Sequence, residues 1–174
     1  LELRVSRQYG APALEENQGA VTEEEAAFLY GLALALRPTC IAEVGTGWLR
    51  SLRAFCGAAA WLRNHLDWPC AVWSCDIKKD AVTRAQKELP LAHVVCGDSI
   101  ALAKAMCPAP QLIFIDGEHH EERPRKDYEA LKAVADEKAV FVFHDTGIIL
   151  SVREYAEGLG AICLPTPRGM GILA

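Results

Sequence analysis

No basic stripe runs through this chain. Its net charge is −5 over 174 residues, whereas nucleic-acid binders usually concentrate lysine and arginine on one face. The acidic balance favours a small-molecule partner and excludes nucleic acid as the expected one. No apolar run is long enough for a membrane. The longest, residues 26–36, is well short of the about 20 residues that a spanning helix needs. The opening residues, LELRVSRQYG, lack an apolar core segment, so no signal peptide is expected. The seven cysteines show no C-x-x-C spacing, which removes a zinc ribbon or a thioredoxin-type site. Their odd number in a chain of this size suggests a reducing, cytoplasmic compartment. Thiols set in apolar runs, such as Cys75 and Cys96, are expected to be buried. Neither a G-x-S-x-G elbow nor a G-x-x-x-x-G-K-[ST] loop is present. No repeat and no low-complexity linker divides the chain, so residues 1–174 read as one domain.

What is present is a regular alternation. With 51% hydrophobic and 24% charged residues, the composition is that of a folded globular chain. Thr22 can cap a first helix, and Glu25 three residues later completes a capping box. Residues 26–36 are apolar nearly all round, so this helix is expected to be well buried and to stop at Pro38. Short apolar runs then alternate with helical segments. Strands are expected at 41–45, 71–76, 93–96, 112–116, 139–144, 161–164 and 170–174. Helices are expected at 51–62, 78–89, 99–106, 121–135 and 150–157, with a longer loop at 64–69. Such an order needs crossover connections, hence a mostly parallel sheet covered on both faces. An N-terminal helical segment, 1–40, precedes the sheet-forming core, 41–174.

Ligands of an open parallel sheet bind beyond the carboxyl ends of its strands. Almost every strand here stops at an acid or a glycine. The tips read Glu43-Val44-Gly45-Thr46-Gly47, Asp76, Gly97-Asp98-Ser99, Asp116-Gly117 and His144-Asp145-Thr146. Gly45 and Gly47 allow a tight turn and close backbone approach to a ligand. Asp76 is placed to accept from ribose hydroxyls, and Asp98 and Ser99 lie where one adenosine could touch all three tips. Taken singly, Asp76 and Asp98 are also ordinary helix caps. A second group, Asp116 to Glu122 with His144 and Asp145, offers two carboxylates and an imidazole to a divalent ion. Within it His120, Glu121 and Glu122 read as solvated loop and first-turn residues, and Arg123, Arg125 and Lys126 as a basic turn paired with nearby acids.

From Ile41 to Ala174 these residues resemble the class I S-adenosylmethionine-dependent methyltransferases. The segments LIFIDGEHHEERPRKDYEAL and AVFVFHDT are similar to the small-molecule O-methyltransferase branch called methyltransferase family 24. The resemblance implies a three-layer, Rossmann-like α/β sandwich with a mostly parallel seven-stranded sheet and an antiparallel last strand. It implies O-methylation of a small hydroxylated molecule. S-adenosylmethionine would lie on Glu43, Gly45, Thr46, Gly47 and Ser51, on Asp76 and Ile77, on Gly97, Asp98 and Ser99, and on Asp116. Magnesium or manganese would lie on Asp116, Asp145 and His144, and His119, His144 and Asp145 would be catalytic. Without metal, His119 or His144 could serve as general base, since imidazole titrates near neutral pH. The loop continues Trp48-Leu49-Arg50, where many relatives have another glycine. Two other readings stay open: an NAD-dependent oxidoreductase, whose third glycine is absent and whose acid comes late, and a non-catalytic cofactor-binding subunit. A homodimer is compatible with the sequence.

Overall fold

The structure, a computed structural model, describes residues 20–119 and 122–174. The expectations placed on residues 1–19, His120 and Glu121 lie outside them. The first helix, α1 (Glu23–Leu36), begins as its capping box dictates. The Glu25 amide donates to Thr22 Oγ1 at 3.2 Å, and the Thr22 amide donates to Glu25 Oε2 at 3.0 Å. The helix ends at Arg37, whose left-handed backbone turns its amide onto the Ala33 carbonyl. Burial all round does not occur. Glu25, Leu29 and Ala33 are buried, because α1 is an outer helix that packs by one face on the next one.

That next helix, α2 (Arg50–Leu66), follows β1 (Cys40–Val44) and runs four residues past the expected end at 62. Arg63 and His65 suit its negative C-terminal end, and the stop is Asp67 in the left-handed region, so the expected loop at 64–69 shrinks. The chain continues through β2 (Ala71–Asp76), α3 (Lys79–Glu88), β3 (His93–Cys96), α4 (Ser99–Ala105) and β4 (Leu112–Ile115). It closes with α5 (Arg123–Lys132), β5 (Val140–His144), α6 (Leu150–Gly158), β6 (Ile162–Leu164) and β7 (Met170–Leu173). Helix α5 starts later than expected, with Pro124 in the first turn, where a missing N–H costs nothing.

The sheet order is β3-β2-β1-β4-β5-β7-β6. Strands β1 to β5 pair in parallel, and β7 inserts antiparallel between β5 and β6. The strands' two-residue period splits the apolar side chains between two cores. Leu112, Phe114 and Val142 face the α1, α2 and α3 side with Leu29, Phe55 and Leu62. Ile113, Phe141 and Phe143 face the α4, α5 and α6 side with Leu102, Leu131 and Val152. Each fully buried side chain of this size contributes roughly 1.5–3 kcal/mol by leaving water. Cys96 is exposed rather than buried, because β3 is an edge strand, while Cys75 in the interior β2 is buried as expected. Among the described residues no helix is long and apolar enough to cross a membrane.

Candidate active site

The order reversal between β1 and β4 opens a crevice at the carboxyl ends of the parallel strands. A cleft of about 320 Å³ lies there. Gly45 and Gly47 from β1, Asp76 and Ile77 from β2, Gly97, Asp98 and Ser99 from β3 and Asp116 from β4 all line it. Gly45 has φ +94°, and a Cβ there would collide with the Asp116 carbonyl, so the β1 loop presses directly on the end of β4. Asp76 organises the loop. Its Oδ2 accepts from the Gly47 amide at 2.9 Å and its Oδ1 from the Lys78 amide at 2.8 Å. Both oxygens are thereby fixed, and each keeps a lone pair for a ligand.

Glu43, Thr46 and Ser51 lie behind this wall rather than on it. All three are buried, and none lines the cleft. Ser74 Oγ donates to Glu43 Oε2 at 2.6 Å and shares a 2.7 Å hydrogen bond with Thr46 Oγ1, so these residues brace the loop from below. Burial pushes the Glu43 carboxyl up to about 8, against the Ser51 and Ser74 hydrogen bonds, and the Asp116 and Asp76 charges push the same way. Its Oε1 has no hydrogen-bond partner. Asp98 caps α4 by accepting from the Ala101 amide at 3.0 Å. Ser99 Oγ donates to Asp127 Oδ1 at 2.6 Å. Asp127 lines the cleft and was invisible in the sequence, because KDYEAL reads by its apolar positions; burial raises its carboxyl.

Leu49 adopts φ 68° and is buried, so the loop takes a left-handed turn immediately before α2. Arg50 turns away to the Val21 carbonyl at 2.5 Å. Trp48 is exposed, with the Arg84 guanidinium 5.0 Å from its ring centre.

Beside the cleft stands the second cluster. Asp116, His144 and Asp145 offer ligand-type atoms within 4.8 Å of one another. These atoms already have partners. His144 is fully buried, with Nδ1 2.8 Å from Asp116 Oδ1 and Nε2 3.1 Å from Glu25 Oε2. Burial opposes its charge, but hydrogen bonds to Asp116 and Glu25 and the charges of Asp116 and Asp145 push it up to about 10. That favours a protonated His144 between Glu25, which is held ionised, and Asp116, whose own carboxyl burial raises against the hydrogen bond and charge of His144. Asp145 receives Arg168 Nε at 2.7 Å and His119 Nε2 at 2.9 Å. Burial would raise Asp145; the hydrogen bonds from His119 and Arg168 and the charges of His144 and Arg168 hold it below the usual carboxylate range.

Glu25 and Arg168 complete the cluster, and sequence reading had missed both. Glu25 was absorbed by its capping box. Yet its carboxylate also accepts from Thr166 Oγ1 and from the Arg168 amide, each at 2.8 Å. Burial would raise it, but the hydrogen bonds from His144, Thr22, Arg168 and Thr166 hold it at about 2. Arg168 lies in a Pro- and Gly-flanked loop with no periodicity to mark it.

The cleft and its strand order agree with the comparisons. The model of a family described as a methyltransferase domain matches residues 43–146, more than half of the chain. Among curated proteins no sequence matches. The fold is similar to the SAH-bound methyltransferase PaMTH1 of Podospora anserina, with TM-score 0.73, 10% identity, and 92% of this chain and 81% of that one covered. It is also similar to an O-methyltransferase from Bacillus cereus in complex with SAH, with TM-score 0.71, 13% identity and coverage of 91% and 84%. A third likeness is the O-methyltransferase TomG of Streptomyces achromogenes in complex with SAM, with TM-score 0.66, 15% identity and coverage of 97% and 85%. With Gly45 to Gly47, Asp76 and Gly97 to Ser99 gathered on one cleft of this sheet, the chain belongs to the methyltransferase domain family, the class I S-adenosylmethionine-dependent kind that its motifs resemble.

Proposed function

We propose that this chain methylates a hydroxyl oxygen of a small molecule, with S-adenosylmethionine held across the tips of β1, β2, β3 and β4. The observation that carries the reading is Asp76. Its carboxylate lines the cleft, is pinned by two backbone amides, and keeps outward lone pairs for two ribose hydroxyls. The Gly45–Gly47 turn leaves room for the methionine part, and Ile77 with Gly97 to Ser99 flanks the adenine. When bound, this cofactor supplies a methyl group activated on a sulfonium.

The chain's own residues then handle the acceptor. His119 is part exposed, with Nε2 2.9 Å from Asp145 Oδ2; in this reading the hydrogen sits on Nε2 and the lone pair on Nδ1. Nδ1 takes the acceptor's hydroxyl proton as the oxygen–methyl bond forms. The broken carbon–sulfur bond leaves its electron pair on sulfur, and Asp145 stabilises the imidazolium that results. His144 is not the base in this reading. Both its nitrogens are engaged by carboxylates and its ring is fully buried, so it holds a proton rather than exchanging one.

The divalent ion does not fit these donors. A ligating imidazole must offer a lone pair, and both His144 nitrogens are already within hydrogen-bonding distance of an acid, Nδ1 of Asp116 Oδ1 and Nε2 of Glu25 Oε2. Asp145 is already matched by Arg168 and His119. No step is therefore routed through a metal.

Calorimetric titration with S-adenosylmethionine and with its demethylated product tests the reading. The wild type should bind both, and Asp76→Ala should lose at least about tenfold in affinity, roughly 1.4 kcal/mol or more. A wild type that binds neither at about 1 mM would end the reading. An Asp76→Ala protein that melts like the wild type and binds equally well would remove the ribose role.

A further inference from the structure

The acids at the ends of β4 and β5 face cations already built into the chain. Arg168 grips Asp145 with a fork: Nε donates to Oδ1 at 2.7 Å and Nη2 to Oδ2 at 3.2 Å. Asp145 is 1% exposed, so this pair is shielded from solvent screening. The guanidinium is no swinging surface group. Its own amide donates to Glu25 Oε1 at 2.8 Å, and its carbonyl accepts from the Gly147 amide at 2.8 Å. Gly169 follows with φ +86°, where a Cβ would collide with the Gly147 amide nitrogen. The loop that carries Arg168 is thus tied to α1 on one side and to the end of β5 on the other.

A guanidinium and a divalent ion compete for the same carboxylate lone pairs. Resting on the O-methyl transfer reading, we infer that Arg168 is the resident cation of the acceptor site: it fills on Asp145 the place a divalent ion would need, and it stabilises the acceptor oxygen's developing negative charge in that ion's stead. Two of its five N–H groups are spent on Asp145. The remaining three can meet an oxyanion, and a planar cation that is always charged suits that task. Glu25 is then a positioning residue. It touches no acceptor but fixes the backbone of Arg168 and the ring of His144.

Manganese(II), titrated and followed by the electron spin resonance of the free ion, tests the inference without any turnover. The wild type should take up none below about 1 mM. Arg168→Met strips Asp145 of its fork and should bind one ion at least about tenfold more tightly than the wild type. Adding Asp145→Asn should abolish that gain. Arg168→Lys keeps a cation on a foldable chain and should stay metal-free if the methionine variant does not fold. Wild-type binding below about 100 μM that disappears in Asp145→Asn overturns the inference. So does an Arg168→Met protein that folds and gains no affinity. Cofactor calorimetry fails or succeeds separately, so a wrong cofactor assignment leaves the manganese result interpretable.

Discussion

Glu25 and Glu43 are both fully buried carboxyls, one at each end of the candidate site, and their surroundings push them in opposite directions. Glu25 sits among four donors: the Thr22 and Arg168 amides, the Thr166 hydroxyl and His144 Nε2. Burial raises its pKa, the donors win, and it stays ionised at about 2. Glu43 has serines for partners and the acids Asp116 and Asp76 nearby, so burial wins and the group is held neutral up to about 8. Burial alone therefore does not say whether a carboxyl is charged; the count and charge of its donors do. The Glu25 end is an ionic clamp around the acceptor chemistry. The Glu43 end is a neutral brace beneath the cofactor loop.

The largest break in this comparison should come from truncating the ionic clamp. Glu25→Ala leaves the buried His144 imidazolium with one carboxylate fewer and strands the Arg168 amide. Removing one partner of a buried ion pair costs about 3–5 kcal/mol. Urea unfolding at neutral pH should register a loss of that order. Glu43→Ala removes no charge there and should cost the smaller price of a cavity, about 2 kcal/mol, as for other large-to-small core changes. Equal losses for the two variants would mean that the ionic network adds nothing beyond packing.

Much of this was legible in the sequence, and the parts that were not share a cause. The strand tips were readable because a parallel strand that ends in an acid or a glycine leaves a local signature, as at Gly45, Asp76 and Asp98. The alternation of strands and helices was readable for the same reason, and boundaries slipped where a left-handed stop such as Asp67 carries no motif. Glu25, Asp127 and Arg168 were not readable as site residues. Each already had a sufficient local explanation, as cap, helix residue or loop residue, while its functional partner lies far along the chain. His144, for example, meets Glu25 across 119 positions. The metal expectation rested on Asp116, His144 and Asp145, which folding does bring together; the Arg168 fork on Asp145 was not legible beside them, because it comes from a loop 23 positions further on.

A smaller effect should sharpen the contrast through pH. Between about 4.5 and 8, folded Glu43 holds a proton that the unfolded chain has released, so its contribution to stability falls as pH rises across that window. Glu25 has the opposite sign: its contribution is full above 4.5 and lost as pH falls toward 2. His144 holds its extra proton between 6.5 and about 10, so its contribution is full below 6.5 and fades above. Only Glu43 among the three acts between pH 5 and 6.5. Glu43→Gln should match the wild type near pH 5 and exceed it in stability by up to about 2 kcal/mol at pH 6.5. Parallel stability curves for the two proteins across that interval would show that Glu43 is ionised after all.

The smallest effect comes from removing a single donor of the clamp. Thr166→Val keeps shape and takes away one hydroxyl from Glu25 Oε1, which still accepts from the Arg168 amide. The expected cost is about 1 kcal/mol at neutral pH, the usual net value of one hydrogen bond. Because the lost bond favours the ionised form, Glu25 should also protonate at higher pH, and the acid limb of the stability curve should move upward. The direction separates two accounts of Thr166. A hydroxyl that only fills space would lower stability equally at every pH, whereas a donor to a charged carboxylate loses its influence once Glu25 is protonated, so the two proteins should converge as pH falls.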